Sequence, residues 1–264
     1  MRKSRESRLS FSLSCPMNLI MRLPNLLVLL ATTNLASQAA TEDRSQARSM
    51  VISRYGIVAT EHPLSSQIGA TVLARGGNAV DAAVAANAAM GVFAPMANGI
   101  GGDLFAMVYE AKTGKLYGLN ASGWAPAALT PALLAGKGNT SMPTNGIYSV
   151  TVPGAVDGWE KLLRRFGRKK LSELLAPSIH YAEEGFPVTE IFSSYWITSE
   201  PKLRKSENAS KTFLLDGKAP RPGQLFRNAE LAWSYRQIAA HGERRFTKEQ
   251  LPNGFWPART RREE

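Results

Sequence analysis

Apolar side chains between residues 61 and 105 first recur at helical spacing and later form a short, strand-like apolar run. The first helical pattern begins at Pro63, and proline is favoured in the first turn of a helix. Gly76 and Gly77 stop this pattern, because glycine readily takes the left-handed conformation in which helices end. We therefore predict a first helix that begins at Pro63 and ends before the glycine pair.

A second helix, Ala79–Phe93, is predicted from its cap and its composition. The side chain of Asn78 can cap the N-terminus, and Asp81 places a negative charge in the first turn. The segment is rich in alanine, whose small side chain costs little entropy to order and lets a helix approach a sheet closely. Pro95 then ends the helix.

Three segments are predicted to be strands. Residues 56–60 form a short β-branched run, GIVAT. Leu104–Glu110 is an apolar run that follows the glycine-rich segment 98–103. Residues 115–120 return after a turn at residues 112–114, so these last two strands are predicted to form a hairpin.

The rest of the chain alternates helical patterns with turns. Helices are predicted at Ala155–Phe166, Leu171–Glu184 and residues 228–241, whereas residues 191–223 are polar and are predicted to be irregular surface. This mixture of elements predicts a layer of strands covered by helices, which is an α/β or α+β fold. At 264 residues with 44% apolar side chains, the chain can bury a sizeable core.

Residues 1–40 are predicted to be a signal peptide. Arg22 precedes a short apolar run, LPNLLVLLATTNLAS, and residues 37–39 (SQA) fit a small-x-small cleavage site. The run is too short for a comfortable membrane span, so we expect no stable membrane anchor and a periplasmic or secreted protein. If translation starts at a methionine inside this region, the residues before that methionine are not part of the protein.

The net charge of +11 does not by itself indicate a nucleic-acid partner. Part of it lies in residues 1–22, and the rest is spread along the chain without a basic motif interleaved with aromatic residues. We interpret it as solvated basic surface and expect no nucleic-acid binding. Cys15 is the single cysteine, which excludes an intrachain disulfide but does not argue against export.

The titratable residues form no recognisable catalytic or metal-binding set. His62, His180 and His241 are far apart in the sequence and lack the spacing of metal ligands. We expect His62 to be a structural group at the start of the first helix. Glu183 and Glu184 are adjacent, so they point to different sides of a helix. No metal and no cofactor is predicted.

The glycine-rich segment 98–103 (NGIGGD) is the loop with the greatest freedom to approach a ligand. It does not follow the strand–GxGxxG–helix order of a phosphate site, and the chain contains no GxSxG nucleophile elbow. Taken alone, the segment is interpreted as a tight crossover from helix to strand. The residues of this chain thus show no complete catalytic constellation.

Six segments, taken together and in order, resemble the gamma-glutamyltranspeptidase family. The likeness begins at Gly56, and the family-like region is predicted to be residues 41–246. The six segments are 61–64 (EHPL), 76–85 (GGNAVDAAVA), 98–103 (NGIGGD), 149–159 (SVTVPGAVDGW), 176–186 (APSIHYAEEGF) and 228–242 (NAELAWSYRQIAAHG).

The resemblance implies the αββα sandwich of the N-terminal-nucleophile hydrolases, of which this chain would hold only the large-subunit portion. Members of the family are made as a precursor that cleaves itself before a threonine. That threonine becomes the nucleophile of the small subunit, and its free α-amine acts as the base. The implied activity is cleavage of γ-glutamyl amides such as glutathione. The nucleophile is expected beyond this chain, in a small-subunit partner, so no catalytic residue is assigned within it.

Ser122 is the one candidate substrate-binding residue that the resemblance locates. In the transpeptidases an Arg-Glu pair lies at the positions of Ser122 and Gly123, and the arginine binds the α-carboxylate of the γ-glutamyl group. A neutral serine cannot replace a bidentate guanidinium. Asp103, where many members have glycine, also fits the divergent branch that includes acylases and small amidohydrolases. Trp124 is expected to pack in the core rather than line an acyl pocket.

Residues 247–264 lack the family pattern and are predicted to be a non-family tail, which we ascribe to a single-base frameshift. Three functions therefore remain open. The first is an enzyme of the family, acting on γ-glutamyl amides or, alternatively, as an acylase or small-amide amidohydrolase. The second is an inactive exported remnant, and the third is a binding module that uses the glycine-rich loop and Trp124.

Overall fold

The computed structural model of the protein describes residues 50–242. Residues 50 and 51 belong to a separate N-terminal unit, and the fold described below is that of the unit beginning at Ile52. The predicted signal peptide, residues 1–40, and the predicted tail, residues 247–264, lie outside the described residues.

Helices dominate the described part of the chain and alternate with short strands. In chain order the elements are α1 (Pro63–Ala74), α2 (Ala79–Phe93), β1 (Leu104–Glu110), β2 (Lys115–Ala121), α3 (Pro131–Gly136), α4 (Ala155–Phe166), α5 (Leu171–Glu184), β3 (Phe186–Pro187), α6 (Glu190–Leu203), α7 (Glu207–Phe213), β4 (Leu225–Phe226) and α8 (Ala229–His241). The strands of residues 50–242 form two antiparallel pairs, β1 with β2 and β3 with β4.

The cap of α2 forms as predicted and also reaches a distant loop. The Asn78 side chain accepts hydrogen bonds from the backbone of Val80 and Asp81, while Asp81 Oδ2 accepts from the Asn78 backbone at 2.8 Å. Asp81 Oδ1 accepts two more, from the backbone N–H groups of Arg168 (2.9 Å) and Lys169 (3.1 Å). This fully buried carboxylate therefore ties the start of α2 to the loop between α4 and α5.

Helix α2 lies at the centre of the core, because its small side chains let other helices pack closely. The buried hydroxyl of Tyr235 on α8 donates to Ala88 O at 2.7 Å, and burial raises its pKa. A Cβ added at Gly91 would lie 2.6 Å from this same hydroxyl oxygen, so only glycine fits there. On another side, Trp159 Nε1 donates to Asn87 Oδ1 at 2.8 Å.

The predicted hairpin forms in register, with Leu104 opposite Ala121 and Glu110 opposite Lys115. Its inner face packs on α4, where a Cβ added at Gly158 would lie 2.9 Å from both Ala121 Cβ and Leu104 Cδ2. Its outer face carries apolar side chains that are between 59% and 75% exposed. This outer face consists of Phe105, Met107, Tyr109 and Leu116.

Two predictions of secondary structure are wrong. Residues 56–60 pair with no strand of the described chain, because a β-branched run becomes a strand only beside a neighbouring strand. The range 191–223 contains most of α6 and all of α7. Two buried aromatic side chains one turn apart, Phe192 and Trp196, fix α6, which also contains Pro201 near its C-terminal end.

Candidate functional site

Three loops meet where the hairpin begins and ends, and together they form what we call the loop junction. They are residues 98–103, residues 121–126 and residues 150–154. Gly102 O accepts hydrogen bonds from the backbone N–H groups of Gly154 and Ala155, each at 3.0 Å. Helix α4 has no side-chain cap, so this carbonyl satisfies its first N–H groups.

Asp103 connects all three loops of the junction. Its Oδ1 accepts one hydrogen bond from the backbone N–H of Gly123 and one from the hydroxyl of Thr151, both at 3.0 Å. Nearby, Trp124 O accepts from the backbone N–H of Val152 at 3.0 Å. The segment 122–124 is thus held at its centre by a carboxylate and at its end by a backbone hydrogen bond.

Glycine is required at two positions of the junction because backbone meets backbone there. A Cβ added at Gly123 would lie 1.4 Å from Val152 O, and one added at Gly154 would lie 2.0 Å from Ala121 O. By contrast, a Cβ at Gly99 or Gly101 would meet nothing within 4 Å. The glycine-rich loop itself turns through a hydrogen bond from Gly102 N to Gly99 O (3.2 Å), as predicted for a crossover from helix to strand.

Ser122 lies half-buried in the junction, directly after β2. Its backbone N–H donates to Asn120 Oδ1 at 2.8 Å. Its hydroxyl makes no hydrogen bond within residues 50–242. The role of this side chain as a substrate-binding residue stays a prediction.

Trp124 is 78% exposed, so the expectation that it packs in the core is wrong. The inward side of its segment is taken up by backbone contact with residues 152–154, which leaves no space for an indole. Its side chain instead presents a large apolar surface next to Ser122.

His62 is a structural group, as expected. Its ring is buried, Nδ1 accepts from the backbone N–H of Leu64 at 3.2 Å, and the ring stacks on Phe93 at 4.6 Å between centroids. Burial lowers its pKa, so the ring is neutral at pH 7 and caps α1 as an acceptor. His180 and His241 are exposed on α5 and α8.

Glu183 and Glu184 do not form a catalytic pair: the carboxylate of Glu183 is in an ion pair, whereas the contact at Glu184 is to its backbone carbonyl. The Glu183 side chain pairs with Arg236, and Arg227 Nε donates to the backbone O of Glu184 at 2.8 Å. Among residues 50–242 no group of three or more His, Cys, Asp or Glu side chains could hold a metal ion. No helix of this part of the chain is both long and apolar enough to cross a membrane.

The contacts of Asp103 are the feature that sequence reasoning missed. The sequence singles out residues 98–103 and 149–159 as separate motifs but gives no sign that they meet. The donors lie 20 and 48 positions from Asp103, so only the folded chain brings them together. Chemically, the junction offers a free hydroxyl, an exposed indole and a fixed backbone, which suits binding and orienting a ligand.

The comparisons with known proteins agree on one family. The model of the gamma-glutamyltranspeptidase family matches residues 65–253. A glutathione hydrolase proenzyme of Bacillus subtilis (strain 168) is 37% identical over 202 residues, which are 75% of this chain and 34% of that protein. An oxamate amidohydrolase proenzyme of Klebsiella pneumoniae is 38% identical over 197 residues, 72% of this chain and 37% of that protein. The chain therefore spans about a third of the length of these relatives.

The crystal structure of Helicobacter pylori gamma-glutamyltranspeptidase superposes with a TM-score of 0.73 at 32% identity, covering 78% of this chain and 60% of that one. The predicted fold class is confirmed by this match. Proteins named glutathione hydrolases, amidohydrolases and acylases all occur among the relatives. The matched range ends at residue 253, so the departure of residues 247–264 from the family stays a prediction. The chain belongs to the gamma-glutamyltranspeptidase family.

Proposed function

We propose that this chain is the large-subunit part of an enzyme that cleaves γ-glutamyl amides such as glutathione. The nucleophile is an N-terminal threonine on a small subunit made in the same precursor. Two facts support this: the relatives are named proenzymes, and the chain spans about a third of their length.

The observation that carries the proposal is the outer face of the hairpin. Three large apolar side chains are exposed in a row along β1 and a fourth, Leu116, lies opposite Tyr109 on β2, although the inner face of the same hairpin is packed on α4. Contiguous exposed apolar surface of this kind marks an interface. A second sheet layered on this face would bury the row and complete a sandwich, with the usual spacing of about 10 Å between stacked sheets.

The chemistry proposed for the assembled enzyme is acyl transfer. The threonine hydroxyl oxygen attacks the amide carbonyl carbon while the α-amine of the same residue takes the hydroxyl proton. The C–N bond then breaks, the leaving amine receives that proton, and an ester between acyl group and threonine remains. Water or an acceptor amine attacks the ester and restores the threonine. This chain contributes the loop junction, which orients the acyl group.

The test is turnover of a γ-glutamyl anilide by the 264-residue chain with and without a small-subunit half encoded at the same locus. We expect no turnover by the chain alone and turnover with the partner, because the nucleophile and its base reside on the small subunit. Turnover by the chain alone would place the nucleophile within it and overturn the proposal. If the locus encodes no small-subunit half, the chain is an inactive exported remnant.

Ser122 favours a second candidate, an acylase or small-amide amidohydrolase. A hydroxyl at this position cannot form the bidentate pair with an α-carboxylate that a guanidinium forms. Substrates without an α-carboxylate would bind equally well with serine as with arginine at this position. An exported location, periplasmic or secreted, is proposed for either activity on the basis of residues 1–40.

Replacing Ser122 with arginine should shift selectivity toward donors that carry an α-carboxylate. A charge-assisted hydrogen bond contributes about 1.5–3 kcal/mol, so we expect the ratio of kcat/KM for γ-glutamyl over plain acyl anilides to rise roughly tenfold or more. Ser194→Arg, which adds the same charge at an exposed position on α6, is the control. Equal ratios in both variants would show that Ser122 does not face the acyl donor.

A further inference from the structure

The Asp103 carboxylate is placed to control one short segment of the loop junction. One oxygen, Oδ1, accepts from two donors on two different loops, Gly123 N–H and Thr151 Oγ1–H, at 3.0 Å each. The next residue, Leu104, is buried and paired in β1, so the strand fixes the backbone from which this carboxylate projects. We call this pair of hydrogen bonds the Asp103 bridge.

The bridge holds the residue between a half-buried serine and an exposed tryptophan. Gly123 separates Ser122, whose hydroxyl makes no hydrogen bond in the described chain, from Trp124, whose indole is largely exposed. Before Gly123, the Ser122 N–H is bound by Asn120 Oδ1, and after it, Trp124 O is bound by Val152 N–H. Every hydrogen bond of this segment therefore fixes backbone and leaves both side chains free.

A side chain presented from a fixed backbone binds its ligand at a lower entropic cost than one on a mobile loop. Glycine at 123 makes the bridge more important, because a glycine backbone loses more conformational freedom on ordering than any other. Without the bridge, the backbone hydrogen bonds of Ser122 and Trp124 would have to restrain a glycine between them.

We propose that Asp103 is a positioning residue of the acyl-binding site, acting through Gly123 to set where the Ser122 hydroxyl and the Trp124 indole lie. The site itself rests on the proposed function, in its second form of an acylase or small-amide amidohydrolase. The ligand surface that results is one neutral hydroxyl beside one large aromatic face. It fits the acyl part of an amide substrate that packs an apolar group on the indole.

The first arm of the test measures amide hydrogen exchange of residues 121–125 in the full 264-residue chain and does not depend on activity. Both hydrogen bonds of the Asp103 bridge are solvent-exposed, so Asp103→Ala should raise the exchange rate of the Gly123 amide roughly two- to fivefold. Asp103→Asn keeps an acceptor oxygen and should restore most of the protection. Thr151→Val removes only one donor and should give a smaller increase.

Glu110→Ala is the matched control for this arm. Glu110 lies at the opposite end of β1 and accepts a hydrogen bond from the Thr113 hydroxyl at 2.5 Å, so the variant removes a similar carboxylate–threonine contact away from the junction. Its exchange at residues 121–125 should equal that of the wild type. Unchanged exchange at Gly123 in Asp103→Ala, or an equal increase in Glu110→Ala, would overturn the proposal.

The second arm uses the two-subunit enzyme and separates KM from kcat. Asp103→Ala should raise KM for a plain acyl anilide roughly two- to fivefold with a much smaller change in kcat, and Asp103→Asn should recover most of the loss. Lost protection at Gly123 with an unchanged KM would mean that the bridge serves only stability, which contradicts a positioning role. If the wild-type assembly turns over no amide, the proposed function fails, while the exchange arm still decides whether Asp103 orders the segment.

Discussion

The Gly123→Ala variant should lose about 3 kcal/mol or more of unfolding free energy. Its new Cβ would lie 1.4 Å from Val152 O and 2.5 Å from Val152 C, far inside van der Waals contact. Both obstacles are backbone atoms, and Val152 is itself hydrogen-bonded to Trp124, so no flexible side chain can move aside. Overpacking a well-packed site typically costs about 1–3 kcal/mol, and this overlap exceeds the usual case. Urea denaturation followed by circular dichroism measures the loss.

Gly101→Ala is the control for that prediction. It makes the same chemical change in the same junction, but its Cβ would meet nothing within 4 Å. Its unfolding free energy should stay within about 0.5 kcal/mol of the wild type, as for other surface substitutions. Similar losses in the two variants would show that the loops do not meet at Gly123.

Asp81→Ala should lower the unfolding free energy by about 3 kcal/mol or more, because it leaves three backbone N–H donors without an acceptor. The buried carboxylate accepts from Asn78 N–H, Arg168 N–H and Lys169 N–H at 2.8 Å, 2.9 Å and 3.1 Å. Each buried donor left without an acceptor costs about 1–3 kcal/mol, and because these hydrogen bonds are part-buried, water and local rearrangement would recover part of the total. The same urea denaturation experiment applies.

Asp157→Ala tests whether that loss is specific to burial. Asp157 also lies in the first turn of a helix, but it is partly exposed and pairs with Lys161 one turn away. Exposed pairs of this kind contribute about 0.3–0.5 kcal/mol, and the helix dipole adds about as much. A loss in Asp157→Ala as large as that in Asp81→Ala would contradict the role assigned to the buried carboxylate.

Local signals predicted the central elements well. Asn78 and Asp81 lie three positions apart, and α2 begins where their capping box requires. The hairpin was predictable for the same reason, since β1, the turn and β2 are consecutive in the chain. In each case the residues that decide the structure are close neighbours in the sequence.

Features that depend on residues far apart in the chain could not be predicted from the sequence. The exposure of Trp124 results from the contact between residues 121–124 and 152–154, which belong to different motifs. The Asp103 bridge depends on donors 20 and 48 positions away. Residues 56–60 fail as a strand for a related reason, since no local pattern shows whether a neighbouring strand is present.

The buried carboxylate of Asp81 also bears on the order in which the chain folds. Asp81 Oδ2 can accept from the Asn78 backbone N–H as soon as the first turn of α2 forms, because the two residues are only three positions apart. The hydrogen bonds from Arg168 and Lys169 span 87 and 88 positions, and they can form only after the intervening chain has closed on itself. Closing the intervening loop costs conformational entropy, and this cost is offset only after the distant hydrogen bonds have formed. The Asp81 side chain thus takes part in two steps of folding. It first stabilises the start of its own helix, and it later binds the distant loop when that loop docks.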